Sequence, residues 1–265
     1  MTTTVLPSAL IVGNEAAKGL RLLWRRRAAL AMGIAANAAS FLVLRFFIDG
    51  GHILQPLLLA TLPGMAAAAA ASIASLAASG GVAEEINAGT LEQTHLSPVP
   101  AWALAAGRLG ALTLEALLVA AILGIGFVAG FGVHYHGDPA TVVPALLTLA
   151  DIAGYALLVA GPTVAVASIG AVVHVLNGAV LFFNGTLIPI IVFPATIQVV
   201  AQLLPTTLGV RALHSMLVDG RPLSAVWADH TLPLLVAHAV VLLGIGWATY
   251  QVSIRRALRE GRLGP

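Results

Sequence analysis

Long apolar runs separated by short polar breaks dominate the chain, and their lengths decide what they become. A helix needs about 20 apolar residues to cross a bilayer. Residues 28–47, 53–79, 101–130, 140–170, 171–192 and 232–250 are each near or above that length, and they predict six membrane-spanning helices. In the second run Pro63-Gly64 marks a kink, and the alanines from Ala66 to Ala71 allow close helix contact. Residues 7–27 have a different period. Leu10, Ile11, Ala17, Leu20 and Trp24 recur at helical spacing with Glu15, Lys18 and Arg21 between them. That pattern predicts an amphipathic helix lying in the membrane interface, ended by Arg25, Arg26 and Arg27. In residues 193–229, Pro194, Pro205, Arg211, Asp219, Arg221 and Pro222 interrupt the leucines and valines. A continuous span does not tolerate such a sequence. It predicts two short re-entrant helices that dip into the membrane and return, with protein covering the broken backbone. The expectation is a single all-α transmembrane domain over residues 1–265.

One stretch stands out from this background. Residues 80–98 hold Glu84, Glu85 and Glu92 among the 11 acidic residues of the whole chain. A helix over about 81–95 is predicted there, with Ser97-Pro98 as its stop signal. The stretch is too polar to enter lipid and too short to be a domain. It belongs in water or against a soluble partner.

Composition sharpens the membrane reading. The 265 residues are 59% hydrophobic and 9% charged, with a mean hydropathy of +0.96. Soluble domains carry about 25% charged residues, so lipid is the natural solvent for this chain. A formal net charge of +2 gives no reason to expect nucleic acid. With no cysteine there is neither a disulfide nor a thiolate metal site. Residues 1–7 lack a basic segment followed by a short apolar core, so no cleaved signal peptide is expected. The basic residues set the orientation. Lys18, Arg21, Arg25, Arg26 and Arg27 precede the first run, and Arg255, Arg256, Arg259 and Arg262 follow the last. Both termini are therefore expected on the cytoplasmic side of the cell (inner) membrane. Six spans then place residues 80–98 on that side too, and only Arg45, Arg211 and Arg221 fall elsewhere.

Several chemistries lack their residues. Lys18 is the sole lysine, and no Gly-x-x-x-x-Gly-Lys-Ser/Thr loop exists to cradle nucleotide phosphates. There is no His-Glu-x-x-His, and no Ser/His/Asp arrangement with a persuasive context. No catalytic residue is assigned, and the chain is not expected to be an enzyme. His134 and His136 have ligand-like spacing but no third ligand, so no metal site is read. Energy for any transport must come from a partner or an ion gradient.

The segment from Glu85 through Gly89-Thr90-Leu91-Glu92 to Ser97-Pro98 resembles the cytoplasmic motif of ABC transporter permeases of the type-2 exporter family. Those permeases carry an acidic residue, then Gly-Thr-Leu-Glu, then Ser-Pro before the third span. Phe193-Pro194, followed by Leu204 to Leu213 with Arg211, and then Gly220, is similar to a second family signature before the last span. Two departures stand out: His95 replaces a usually apolar residue, and Ile86-Asn87 follows Glu84-Glu85 where an Arg is usual. The resemblance covers the whole chain and implies a mechanism. Residues 80–98 would be a coupling helix, with Glu84, Glu85, Gly89, Thr90, Leu91, Glu92 and Ser97 docking on a nucleotide-binding ATPase subunit. That subunit would bind ATP and magnesium, this chain having no cofactor of its own. A second permease would complete a homodimer or related heterodimer in membrane lipid. The implied activity is outward movement of a hydrophobic or amphipathic substrate, such as a drug, an antibiotic or a lipid-like molecule. Lipid and polysaccharide exporters share the layout. Two other classes fit less well. An ion-coupled secondary transporter would show inverted repeats, and a lipid-modifying membrane enzyme would show a polar catalytic cluster.

Polar residues inside the runs are the remaining candidates. Glu115 lies two turns from Arg108, which allows a packing pair on one helix face or else a cation, drug or proton-relay contact, and Asp151, isolated in the fourth run, is a candidate for a cavity role on a substrate path or at the seam between two permeases. His174, Asn177 and Asn184 fall near one helical face beside Phe182 and Phe183. That face suits either a substrate path or the seam between two permeases. His238 stands alone and reads as a packing histidine.

Overall fold

The computed structural model describes residues 8–48, 50–52, 54–90, 100–164, 169–188 and 190–260. Among the described residues every regular element is helical. Helix α1 spans Ser8–Arg25, α2 Arg27–Ile48, α3 Gln55–Asn87 and α4 Ala101–Phe131. A 3-10 turn at Pro139–Thr141 leads into α5, Val142–Thr163, and α6 follows at Gly170–Phe183. Beyond a second 3-10 turn at Ile190–Val192 come three short helices, α7 Ala195–Gln202, α8 Thr207–Leu217 and α9 Leu223–Ala228. The long α10, Thr231–Glu260, closes the described chain.

Five of these helices, α2, α3, α4, α5 with its leading turn, and α10, are long and apolar enough to cross a membrane. The fifth expected span, over 171–192, takes another form. Only 14 residues are helical, from Gly170 to Phe183, which is about 21 Å at 1.5 Å per residue and short of a 30 Å hydrocarbon core. Hydropathy did not see the stop because it is conformational. Asn184 Oδ1 accepts from the Thr186 amide at 2.9 Å, and Gly185 between them has a φ of +87°. Such a φ suits glycine and ends the helix.

The polar stretch departs from expectation as well. No single helix covers 81–95. Helix α3 itself runs on to Asn87, and the chain turns at Ala88 and at Gly89, whose φ is +65°. Leu91, Glu92 and Ser97 lie outside the described residues.

Helix α3 is the axis of the bundle, packed against α4, α5, α6 and α8. Its run from Ala66 to Ala71 is buried, and Ala70, Ala71 and Ala74 are wholly so. Small side chains there let the neighbouring helices approach closely. Pro63 interrupts the ladder of α3, because it has no N–H to give the carbonyl of Leu59 four residues back. Tyr135 repairs that gap: its hydroxyl donates to Leu59 O at 3.0 Å. Burial also pushes the Tyr135 hydroxyl well above its ordinary pKa. Tyr135→Phe should therefore cost about 1 kcal/mol, or roughly 2–4 °C of melting temperature in detergent for a chain of this size. An unchanged melting temperature would show that the carbonyl finds another donor.

The closest pairing is between α5 and α10. A Cβ on Gly154 would lie 2.6 Å from Leu243 N and 2.7 Å from the carbonyl carbon of Leu242. These are backbone atoms that cannot move aside, so glycine is required at the crossing. The Arg221 guanidinium donates to Asp229 at 2.7 Å, and the Thr231 amide donates to the other carboxylate oxygen at 3.0 Å. Desolvation, the largest single influence, works the other way, yet these bonds together hold the Asp229 carboxyl below its ordinary value and cap the start of α10.

The bundle has two distinguishable ends. At the basic end lie α1, the last turns of α3 and α10, and the first turns of α4. At the opposite end α3 begins and α4 finishes, tied by Gln55 Nε2 donating to Phe131 O at 3.1 Å.

Candidate functional site

At the basic end one carboxylate joins four helices. Glu85 sits in the last turn of α3 with its side chain 17% exposed. Lys18 Nζ on α1 donates to Glu85 Oε1 at 3.0 Å. Arg108 on α4 forms an ion pair with the other oxygen. Arg108 also donates to the Tyr250 hydroxyl on α10 at 2.8 Å, with its guanidinium 5.7 Å from the centre of that ring. Each charge thus has a partner, the condition under which partly buried charges are tolerated. Amphipathic α1 is clamped to the bundle through this junction, while Leu20 and Trp24 on it remain exposed. Trp24 carries Arg27 over its ring at 5.1 Å. Below the junction, α1, α3 and α4 enclose a cleft of about 390 Å³ that includes Glu84 and Glu115.

Helical spacing suggested Arg108 with Glu115, and the family resemblance implied that Glu84 and Glu85 both dock on a partner. The fold divides them. Arg108 turns to Glu85, and Glu85 is spent inside the chain. Glu84 is exposed, as is Thr90, whose hydroxyl donates to Glu85 O at 3.3 Å.

A second cluster lies where α7 and α8 meet the bundle. Asp151 on α5 is fully buried. One of its oxygens accepts from the Thr206 amide at 2.8 Å, and the other lies 2.7 Å from His238 Nδ1 on α10. His238 Nε2 is 3.2 Å from Leu203 O. Both neighbours of the imidazole are acceptors, and each is satisfied by an N–H of the ring. Thr206 has a φ of +73°, rare for a β-branched residue. It is held there by Asp151 at its amide and by Asn184 Nδ2 at its hydroxyl, 3.4 Å away. Asn184 Nδ2 also reaches Gly64 O on α3 at 3.3 Å. His238, read from sequence as a packing histidine, is thus the partner of the isolated Asp151. The clue was two lone ionisable residues in separate apolar runs.

The expected common face of His174, Asn177 and Asn184 also divides. Asn177 and Asn184 point inward. The Asn177 side-chain oxygen accepts from Ser75 at 3.1 Å and from Tyr155 at 2.9 Å. His174 points outward with Val172 and Val175, and Phe182 is exposed. Phe182 and Phe183 instead form an aromatic group with Phe193, at 6.3 and 5.5 Å between centroids.

The described geometry is a helical bundle with a charged junction at one end and no cluster suited to a metal among the described residues. Residues 16–218, from within α1 to just past α8, match the family model for the ABC-2 type transporter. The chain belongs to the ABC-2 type transporter family. No curated protein matches it. As an ABC-2 chain it is a multi-pass membrane permease component for transport and not itself an enzyme. Permeases of this family generally work with an ATPase subunit. The matched segment contains Lys18, Glu85, Arg108 and Asp151, whereas their partners Tyr250 and His238 lie beyond it on α10.

Proposed function

We propose that this chain is the permease of an ATP-driven exporter that moves a hydrophobic or amphipathic molecule out of the cytoplasm. The observation that carries this reading is the Glu85 junction. The amphipathic helix α1, the end of α3, and the neighbouring ends of α4 and α10 meet at one carboxylate, directly before the polar residues 88–98. A soluble ATPase subunit, binding ATP and magnesium, docks at this basic end on Glu84, Thr90, Leu91, Glu92 and Ser97. Its closure moves α1 and α3 together. Rim charges of this kind set register more than affinity.

In this reading the termini are cytoplasmic and the chain makes six passages through the cell membrane. The fifth consists of α6 and the broken segment after it. Asn184 and Asp151 satisfy backbone groups that the break exposes, as irregular backbone at membrane depth requires. A second permease, identical or related, covers the outward face of α6 at His174, Val175 and Phe182.

Glu92→Lys is expected to reduce co-purification of the ATPase subunit at least about tenfold, since an opposed charge at a docking rim costs on the order of 1.4 kcal/mol or more. Undiminished co-purification would count against docking at this stretch. Export that survives ATP depletion but stops when the proton gradient is dissipated would overturn the reading in favour of ion coupling.

A further inference from the structure

Helix α1 has two faces of different chemistry. Glu15, Lys18, Gly19, Leu22 and Arg26 turn to the cleft shared with α3 and α4. Leu10, Leu20, Arg21, Trp24 and Arg25 are exposed instead, and Arg27, also exposed, lies over the Trp24 ring. We propose that this outward face binds the headgroups of anionic phospholipid in the leaflet at the basic end. The inference needs only that the chain spans a membrane, and it goes beyond the export reading without resting on it.

Charge is concentrated on this face and left uncompensated. Glu15, the acid of α1, lies 3.8 Å from Lys18, which is itself committed to Glu85. Glu115 lines the inward cleft with Arg26. Arg21 reaches a neutral acceptor, the Ala17 carbonyl at 3.3 Å. Among the described residues the guanidinium groups of Arg25 and Arg27 have neither an acceptor nor a carboxylate. Three positive charges thus stand together over residues 21–27. Each arginine held near an anionic leaflet is worth about fivefold in binding. A zwitterionic headgroup brings an ammonium with its phosphate, and the same arginines repel it.

Depth is a second, independent observation. Helix α2 starts at Arg27 and is the least covered of the five long apolar helices, with Met32, Val43 and Phe47 exposed. Met32 stands about 7.5 Å along the helix from Arg27. The headgroup layer on each side of the hydrocarbon is about 5–7 Å thick. Where Met32 enters hydrocarbon, Arg27 is therefore among headgroups. Trp24 and Leu20, interleaved with the arginines, are the residue types that settle at that boundary. An acidic protein would pair with the arginines and leave the apolar surface of α2 beside them uncovered. A lipid covers both with one molecule.

The test exploits a chain without cysteine, in which Leu20→Cys takes a fluorophore at one place. The labelled full-length permease is reconstituted, with no ATPase present, in vesicles of equal parts phosphatidylcholine and phosphatidylglycerol. A small fraction of one lipid or the other carries a nitroxide high on its acyl chain, which quenches only on close approach. Phosphatidylglycerol should be enriched beside the label at least about fivefold over phosphatidylcholine. The triple variant Arg21→Gln/Arg25→Gln/Arg27→Gln should bring the ratio to about one. Salt at about 1 M, where the Debye length is about 3 Å, should lower it in the unaltered chain. Arg259→Gln, exposed on α10 at the same end, should leave it unchanged. Should the triple variant lose melting temperature, Arg25→Gln alone decides, by a ratio several-fold lower. Equal quenching by the two lipids, a ratio that survives the triple variant, or an equal loss in Arg259→Gln would overturn the proposal. Equal quenching joined to lost ATPase co-purification in the triple variant would give the face to the soluble subunit instead. Because the ratio is read without ATP, its failure leaves the export reading intact. Conversely, transport that proves independent of ATP leaves the lipid result standing.

Discussion

Glu85→Ala should destabilise the chain and stop coupled transport, while Glu84→Ala, one residue earlier, should leave the melting temperature nearly unchanged. The two carboxylates are adjacent in sequence and opposite in circumstance. Glu84 is exposed on the helix surface, where substitutions usually change stability by less than about 0.5 kcal/mol. Glu85 accepts from Lys18 and pairs with Arg108. Removing it leaves the guanidinium of Arg108 largely enclosed and short of its countercharge. Breaking a buried ion pair by deleting one partner costs about 3–5 kcal/mol. The expected result is a loss of melting temperature well beyond that of Tyr135→Phe, and at least a hundredfold loss of transport-linked ATP hydrolysis in the reconstituted complex. The double variant Glu85→Ala/Arg108→Leu should recover part of the stability, because the orphaned charge is gone, but not the coupling, because α1 is no longer tied to α3. Equal melting temperatures of the two single alanine variants would remove the junction from the mechanism.

Asp151→Asn is the second large effect. The amide is close to the carboxylate in shape and can still accept from the Thr206 amide. It is a weaker acceptor for His238 than the carboxylate, so the bond that ties α5 to α10 is lost or weakened. Removing one partner of a buried pair again costs about 3–5 kcal/mol. The loss should be local, since Asp151 and His238 both hold the joint between α7 and α8, through Thr206 and Leu203. Amide exchange over residues 201–217 should rise on the order of a hundredfold, while exchange in α3 stays unchanged. His238→Ala should produce the same regional pattern. Unaltered protection in that region would mean that the pair is neutral, or that the joint is held by something else.

How much of this the sequence showed depended on whether a feature was local. Runs of apolar residues became α2, α4 and α10 because length and hydropathy are enough to specify a spanning helix. Their ends were less clear. Helix α10 continues past residue 250 to Glu260 because arginines are good helix formers, and hydropathy marks where lipid stops, not where helix stops. Helix α3 overruns for the same reason, carrying Glu84 and Glu85 as its last turns. The early stop of α6 at Phe183 was hidden inside an unbroken apolar run, because a side-chain bond and one positive φ decide it. In the sites, Asp151 could be singled out from composition alone. Its partner, 87 residues away, could not, since only the packing of α5 on α10 brings them together. Helical spacing offered Arg108 a partner on its own helix, and tertiary packing supplied a better one from α3.

The length of α3 has a mechanical consequence. From Glu85 to Gly64 is about 21 residues of unbroken helix, or roughly 32 Å, and the Gly64 carbonyl is where Asn184 is moored at 3.3 Å. A helix resists compression along its axis, so it behaves as a connecting rod between the two clusters. A stroke of about 0.5 Å at the charged tip is enough to carry that mooring past the reach of a hydrogen bond. A displacement smaller than a bond length can therefore be felt at the far side of the bundle, with no larger motion needed in between.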